Sequence, residues 1–470
     1  MEIVHLPFEL WSIIFNDINM KVQIKFIQTC KTIKDKIFVT DLLNIDIKFK
    51  KKLNGDIIIK YPNIRKLFAS GSECGIDDDD LIGLNLVELN AGYNPKIKKI
   101  NHMTNLRILY AGWNSGINDE SLIGLNLFEL DARNNKKIKK INHMTNLRIL
   151  NASDKSGIED DNLVGLNLVE LNVNGNDKIK KINHMTRLMK LCANDCEIDD
   201  DSLAGLNLVE LHASSNTKIK KINHMTNLRI LDASRNFMIG DDSLIGLNLV
   251  ELNAWNNPKI KKINHMTNLR ILDAGRNSGI EDDSLVGLNL VELNAWNNQK
   301  IKKINHMTNL EKLNANNYVL EDDDLIGLNL VELNVENNPK IKKINHMNNL
   351  RILNASWNSG IDDDNLEGLH LIELNASGNL KIKKINHMIN LRILYASDNS
   401  AIGDDSLVGL NLVELYASDN PKIKKINHMT NLRILDATRT CGIAQDNLIG
   451  LNLIKLYAYG NLKITKYNNI

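Results

Sequence analysis

The chain repeats itself almost from end to end, and that repetition limits what it can fold into more than any other feature. The string Gly-Leu-Asn-Leu-Val-Glu-Leu, or a close variant, returns about every 41 residues, with copies at Leu86, Leu127, Leu168 and onward to Leu453. Midway between them runs a second phase, typically Asn-Leu-Arg-Ile-Leu, from Leu106 to Leu432, with a divergent first copy at Ile64. Both phases read L-x-x-L-x-A-x-x-N. The unit is therefore 20–22 residues long and occurs twenty times in two alternating flavours. A unit this short cannot bury its apolar edge alone. Stacked neighbours hide it, and the product is a solenoid instead of the two to four globular domains that 470 residues would otherwise suggest.

Within a unit, Leu86, Leu89 and Ala91 alternate with Val87, Glu88 and Asn90 as a short strand requires. The third core position is Ala in eighteen units and Val in two, Val173 and Val335. An Asn follows in fifteen of the twenty; Ser72, Lys155, Cys196, Tyr318 and Thr440 stand in the others. Such a column is expected to hydrogen-bond the turns of adjacent coils and satisfy groups that would otherwise be buried unpaired. The pattern resembles the leucine-rich repeat over residues 61–470. That resemblance implies an α/β solenoid of about twenty short coils with a parallel sheet on its concave face. One coil, Leu188 to Asp200, resembles the cysteine-containing repeat common in F-box proteins.

The outer halves of the coils differ in charge. One flavour carries Lys-x-Lys-Lys, as in Lys96 to Lys99, and the other an acidic run, as in Ile361 to Leu366. With the flavours alternating, lysines of one coil are expected to approach aspartates of the next, neutralising what looks like a nucleic-acid stripe. The formal net charge is +1, so no global field draws the chain to nucleic acid or to an anionic membrane. Nine histidines, His102 to His428, recur every second coil. That spacing, about 9–10 Å, is too wide for one metal ion. The Glu88 column lies on an open face without the burial that tunes acid–base pairs. No nucleophile–base pair or Gly-rich phosphate loop is present, so neither an enzyme nor a cofactor is expected. Five scattered cysteines give no disulfide framework, and no run is long enough for a membrane span. A cytoplasmic or nuclear location is expected.

Residues 6–38 read as amphipathic helices, with Pro7 at a helix start, Leu10, Ile13 and Ile14 on one face, and Val22, Phe26, Cys30, Ile33 and Ile37 on another. This stretch closely resembles the F-box, on Leu-Pro-x-Glu-Leu, the Ile-Ile-Phe that follows and a basic-apolar helix with a central Cys. The resemblance implies an F-box over residues 1–45, a linker and solenoid cap over 46–60, and repeats over 61–470. It further implies the substrate-recognition subunit of an SCF-type (Skp–cullin–F-box) ubiquitin ligase. By matching positions, Leu6, Pro7, Leu10, Ile13, Ile14 and Phe15 would meet the Skp-type adaptor, and the repeats would capture a target protein. The alternative is a non-catalytic scaffold or decoy with no ligase role. Near-identical coils rich in Asn, Ile and Lys also resemble F-box/repeat families of giant amoeba viruses, which would place the protein in host cytoplasm.

Trp113, Trp255, Trp296 and Trp357 all sit just after a strand, where packing does not demand them. They either rest on neighbouring turns or contact a target, since Trp is favoured as an interface anchor. Trp255 and Trp296 share a slot two coils apart, and the coil between contributes Asp273 and Arg276. These six residues are the candidate target-binding set.

Overall fold

The computed structural model describes residues 41–42, 53–59, 63–316 and 319–465. Residues 1–40 and 43–45 of the expected F-box, including its six adaptor-facing residues, and residues 46–52 and 60 of the expected linker and cap lie outside the described residues.

Two compact units divide the chain, Met1–Asn227 and Leu228–Ile470. The first holds parallel strands β1 (Asp41–Leu42), β2 (Lys66–Phe68), β3 (Glu88–Asn90), β4 (Ile108–Tyr110), β5 (Glu129–Asp131), β6 (Ile149–Asn151), β7 (Glu170–Asn172), β8 (Lys190–Cys192) and β9 (Glu210–His212), each paired with the next. The second holds β10 (Ile230–Asp232), β11 (Glu251–Asn253), β12 (Ile271–Asp273), β13 (Glu292–Asn294), β14 (Lys312–Asn314), β15 (Glu332–Asn334), β16 (Ile352–Asn354), β17 (Glu373–Asn375), β18 (Ile393–Tyr395), β19 (Glu414–Tyr416), β20 (Ile434–Asp436) and β21 (Lys455–Tyr457), paired in the same way. The strands β2 to β21 give one three-residue strand to each of the twenty units of sequence.

Each strand from β2 to β20 buries its middle residue. From Leu89 to Leu435 no central leucine is more than 2% exposed, and the flanking leucines, Ala91 and its equivalents, and the isoleucine and methionine columns are buried with it. At about 1.5–3 kcal/mol for each fully buried aliphatic side chain, a coil gains its stability from the coils stacked on it. Return segments are turns and helical pieces of three or four residues, such as Asp200–Leu203, where Asp199 caps the Ser202 N–H. A type II turn follows: Ile82 has φ −63° and ψ 129°, and Gly83 has the positive φ of 81° that such a turn needs at its third position. This leaves Ile82 70% exposed.

The asparagine column is shorter than the repeat pattern implies. Ten first-flavour asparagines, Asn94 to Asn461, are buried, none more than 4% exposed. Asn298 is typical: its amide donates to the Ala274 and Ile280 carbonyls of the preceding coil at 2.7 and 3.1 Å, and its oxygen accepts the Lys300 N–H at 2.8 Å. Among second-flavour asparagines only Asn236 is buried; Asn114, Asn277, Asn358 and Asn399 are exposed, and Ser115, Ser278, Ser359 and Ser400 turn inward in their place. The turn there closes one residue later, as in the Ser400 N–H to Ser397 carbonyl bond, whereas the Asn94 N–H bonds Ala91. Gly116 follows Ser115 because a Cβ would strike the Ile97 carbonyl and come within 2.7 Å of that of Pro95.

The charged edges also meet differently from expectation. Nine aspartates, Asp78 to Asp404, each accept two backbone N–H groups of the next coil's Lys-Lys pair, at 2.6–2.9 Å. Among the described residues no lysine of these runs forms an ion pair with an aspartate; Lys180 and Lys218 reach Glu197, and Lys340 reaches Glu321. Leading lysines such as Lys96 and Lys381 donate instead to carbonyls of the preceding coil, Cys74 and Ser359, at 3.0 and 2.9 Å. Peptide groups facing an otherwise unsatisfied edge are closer and less mobile than the ammonium groups, so they take the carboxylates.

Candidate interaction surface

Outward-pointing strand residues form two columns on each unit. The first alternates Glu and Ile, broken by Lys66, Lys190, Lys312 and Lys455; the second is mostly Asn, Asp and Tyr. Neighbouring carboxylates take up three of these lysines. Lys190 Nζ lies 3.8 Å from Glu170 and 3.2 Å from Glu210, Lys66 lies 3.3 Å from Glu88, and Lys312 lies 3.6 Å from Glu332. Burial pushes the Glu210 carboxyl up, but hydrogen bonds from His212 and Lys190 outweigh it and hold the group below its ordinary value.

At two glutamates without a lysine partner, Glu373 and Glu129, the balance reverses. Burial, then the charges of Glu332 and Glu414, push Glu373 above its ordinary value. Glu129 is likewise raised by burial and by Glu88, against a hydrogen bond from Tyr110. Burial and Glu129 push the Tyr110 phenol up to about 12. Tyr395 and Tyr416 stack at 4.5 Å with their planes 7° apart, and the Tyr416 hydroxyl donates to Glu414 at 2.8 Å. Both phenols are raised, first by burial and then by adjacent glutamates. The repeat pattern did not single out these tyrosines. Their signal was present, since Tyr stands where most coils have Asn or Asp.

The tryptophans occupy two different slots. Trp255 and Trp296 come one residue after the core Ala, and their rings stack at 6.4 Å and 6°, closer than the slot spacing because Trp255 leans over Gly275. The Arg235 and Arg276 guanidinium carbons lie 4.6 and 5.4 Å from the Trp255 ring centroid. Asp273 does not form a charged pair with Arg276 between the plates: it accepts the Gly275 N–H at 2.9 Å and the Asn294 amide at 3.0 Å, and burial raises its carboxyl. Trp113 and Trp357 come two residues after Ala, at φ 60° and 56°. Trp113 stacks on Tyr93 at 5.2 Å. Trp357 lies over Gly378 and remains 48% exposed.

Beside the strand starts of the second unit, an open depression of about 490 Å³ is lined by Arg351, His370, Ile372, Asn390 and Arg392. The nine ladder histidines each place Nε2 3.0–3.5 Å from a leucine carbonyl of the preceding coil. Among the described residues no group of three or more His, Cys, Asp or Glu is placed to hold a metal ion, and no helix is long and apolar enough to cross a membrane. Cys196 is buried, and burial pushes its thiol up to about 11, away from reactivity.

No protein-family model matches the chain, and no curated protein matches it. Solved structures of repeat proteins do. An internalin, InlF, from Listeria monocytogenes is similar at 22% identity over 63% of this chain and 81% of its own, with a TM-score of 0.36. The functional domain of InlJ from the same organism, which includes a cysteine ladder, is similar at 18% identity over 72% of this chain and 74% of its own, with a TM-score of 0.42. The TLR13–ssRNA13 complex gives 19% identity over 85% of this chain and 66% of that one, with a TM-score of 0.47. These likenesses are loose. The assignment as a parallel, leucine-lined solenoid of twenty short coils with little helix rests on the strands, registers and buried columns of the chain itself.

Proposed function

We propose that the chain is a non-catalytic protein-binding scaffold whose repeats hold a target while residues 1–45 hold a Skp-type adaptor, making it the substrate-recognition subunit of an SCF-type ubiquitin ligase. The observation that carries the binding role is Trp357. It is 48% exposed and has a left-handed backbone with φ 56°, at a slot that most equivalent coils fill with Gly, Asn or Asp and the others with Tyr93, Trp113, Ser215 or an arginine. A left-handed conformation costs a residue with a Cβ about 1–2 kcal/mol. An exposed bulky side chain kept at such a place points to a gain from a partner. The adaptor role is supported by the F-box-like residues Leu6, Pro7, Leu10, Ile13, Ile14 and Phe15.

Adaptor pulldown with the full chain, compared with a Leu6→Ala, Leu10→Ala double variant, tests the ligase reading. Recovery by the wild type alone supports it. Equal recovery by both, or by neither, leaves the scaffold or decoy in its place.

A further inference from the structure

The strand face of the second unit carries carboxylates in a ladder whose rungs are set by the sheet. Glu332, Glu373 and Glu414 lie on β15, β17 and β19, separated by Ile352 and Ile393 on β16 and β18. Two strand spacings put successive carboxylates about 9.4–9.8 Å apart. Among the described residues no Lys, Arg or His forms an ion pair with Glu373 or Glu414. The same chain shows what such a gap receives: at the position equivalent to Ile393, Lys190 bridges Glu170 and Glu210 at 3.8 and 3.2 Å. Beside the vacant rung, the stacked Tyr395 and Tyr416 rings offer aromatic surface to the stem and charge of an incoming cation.

A partner that fills this ladder needs cations on a matching repeat. A β-strand repeats its same-side residues about every 6.6–6.8 Å, which misses the next rung by about 3 Å. A polyproline II helix returns to the same side every third residue, about 9.3 Å along its axis. We propose that the outward face of β15–β20 is a docking track for an extended polyproline II segment bearing a lysine or arginine at every third residue. Its cations sit over Ile352 and Ile393, between successive glutamates, with one of them against the tyrosine pair. The proposal rests on the reading of the repeats as a protein-binding surface and not on the adaptor role of residues 1–45.

The test is titration of the full chain with a labelled synthetic peptide of Lys-Pro-Pro repeats, beside a peptide of the same composition with its lysines clustered. The expected result is salt-sensitive binding of the repeating peptide, about tenfold weaker in Glu373→Gln, Glu414→Gln. Ile393→Lys, which supplies an internal cation as Lys190 does, is expected to abolish binding while leaving the fold as stable as wild type or more so. Equal affinity for the clustered peptide overturns the spacing argument, and unchanged affinity in both variants overturns the site. Target capture that is lost in Trp357→Asn but persists without peptide binding would leave the scaffold reading standing and refute this track alone.

Discussion

The Asp282 carboxylate accepts the backbone N–H of Lys302 at 2.7 Å, so the acidic edge of one coil is tied to the peptide backbone of the next and not to its ammonium groups. Lys303 N–H shares the same oxygen at 2.9 Å. Asp282→Asn keeps an acceptor and is expected to cost little, whereas Asp282→Ala strands two amides and is expected to lose about 1–2 kcal/mol in urea unfolding. A loss as large for Asn as for Ala would mean that charge, not acceptance, holds the coils.

The buried asparagines are expected to be less forgiving. Asn298→Ala removes two donated bonds and one accepted bond from a site that is 1% exposed. Unsatisfied buried groups of this kind cost about 1–3 kcal/mol each, so a loss of about 3 kcal/mol or more is expected. Asn298→Asp should be no better, since a carboxylate cannot donate to the Ala274 and Ile280 carbonyls. Thermal unfolding of the two variants checks both statements.

Tryptophans in the two slots should separate by experiment. Trp357→Asn loses contact with Gly378 but relaxes a left-handed residue, so its net stability change is expected within about 1 kcal/mol. Trp255→Ala with Trp296→Ala removes a stacked pair and the face on which Arg235 and Arg276 lie, at an expected cost of about 2–3 kcal/mol. If Trp357→Asn leaves target capture intact, the exposed ring is not the anchor.

The glutamate ladder makes stability depend on pH. Burial and neighbouring glutamates raise Glu373 above its unfolded value. Its contribution is therefore fully present below the ordinary glutamate range and is lost as pH rises through the folded value. Glu373→Gln is expected to be the more stable form at neutral pH, with the difference vanishing in acid. At the alkaline end, Tyr110, raised to about 12 by burial and Glu129, loses its contribution between the ordinary tyrosine value and about pH 12. Tyr110→Phe should remove that part of the alkaline decline in denaturant melts.

Coil number, strand positions and the inward leucine and alanine columns were legible in the sequence. In a solenoid every coil solves the same burial problem, and a repeated apolar pattern reports that solution directly. The cysteine of the Leu188 coil was also legible, and Cys196 sits in the buried column where the asparagines of other coils sit. Other features depend on where each turn closes and on which neighbour arrives first. One string, L-x-x-L-x-A-x-x-N, buries Asn94 but exposes Asn114 in favour of Ser115. Likewise Lys-Lys beside Asp reads as ion pairing until the backbone amides are seen to lie closer. Trp255 and Trp357 are both tryptophans after a strand, yet one residue of offset stacks the first on Trp296 beside two arginines and leaves the second half in solvent. Periodicity carries the burial of side chains, whereas the sign of φ at a turn and the distance between coils are properties of the assembled backbone. Only the tertiary structure decided those.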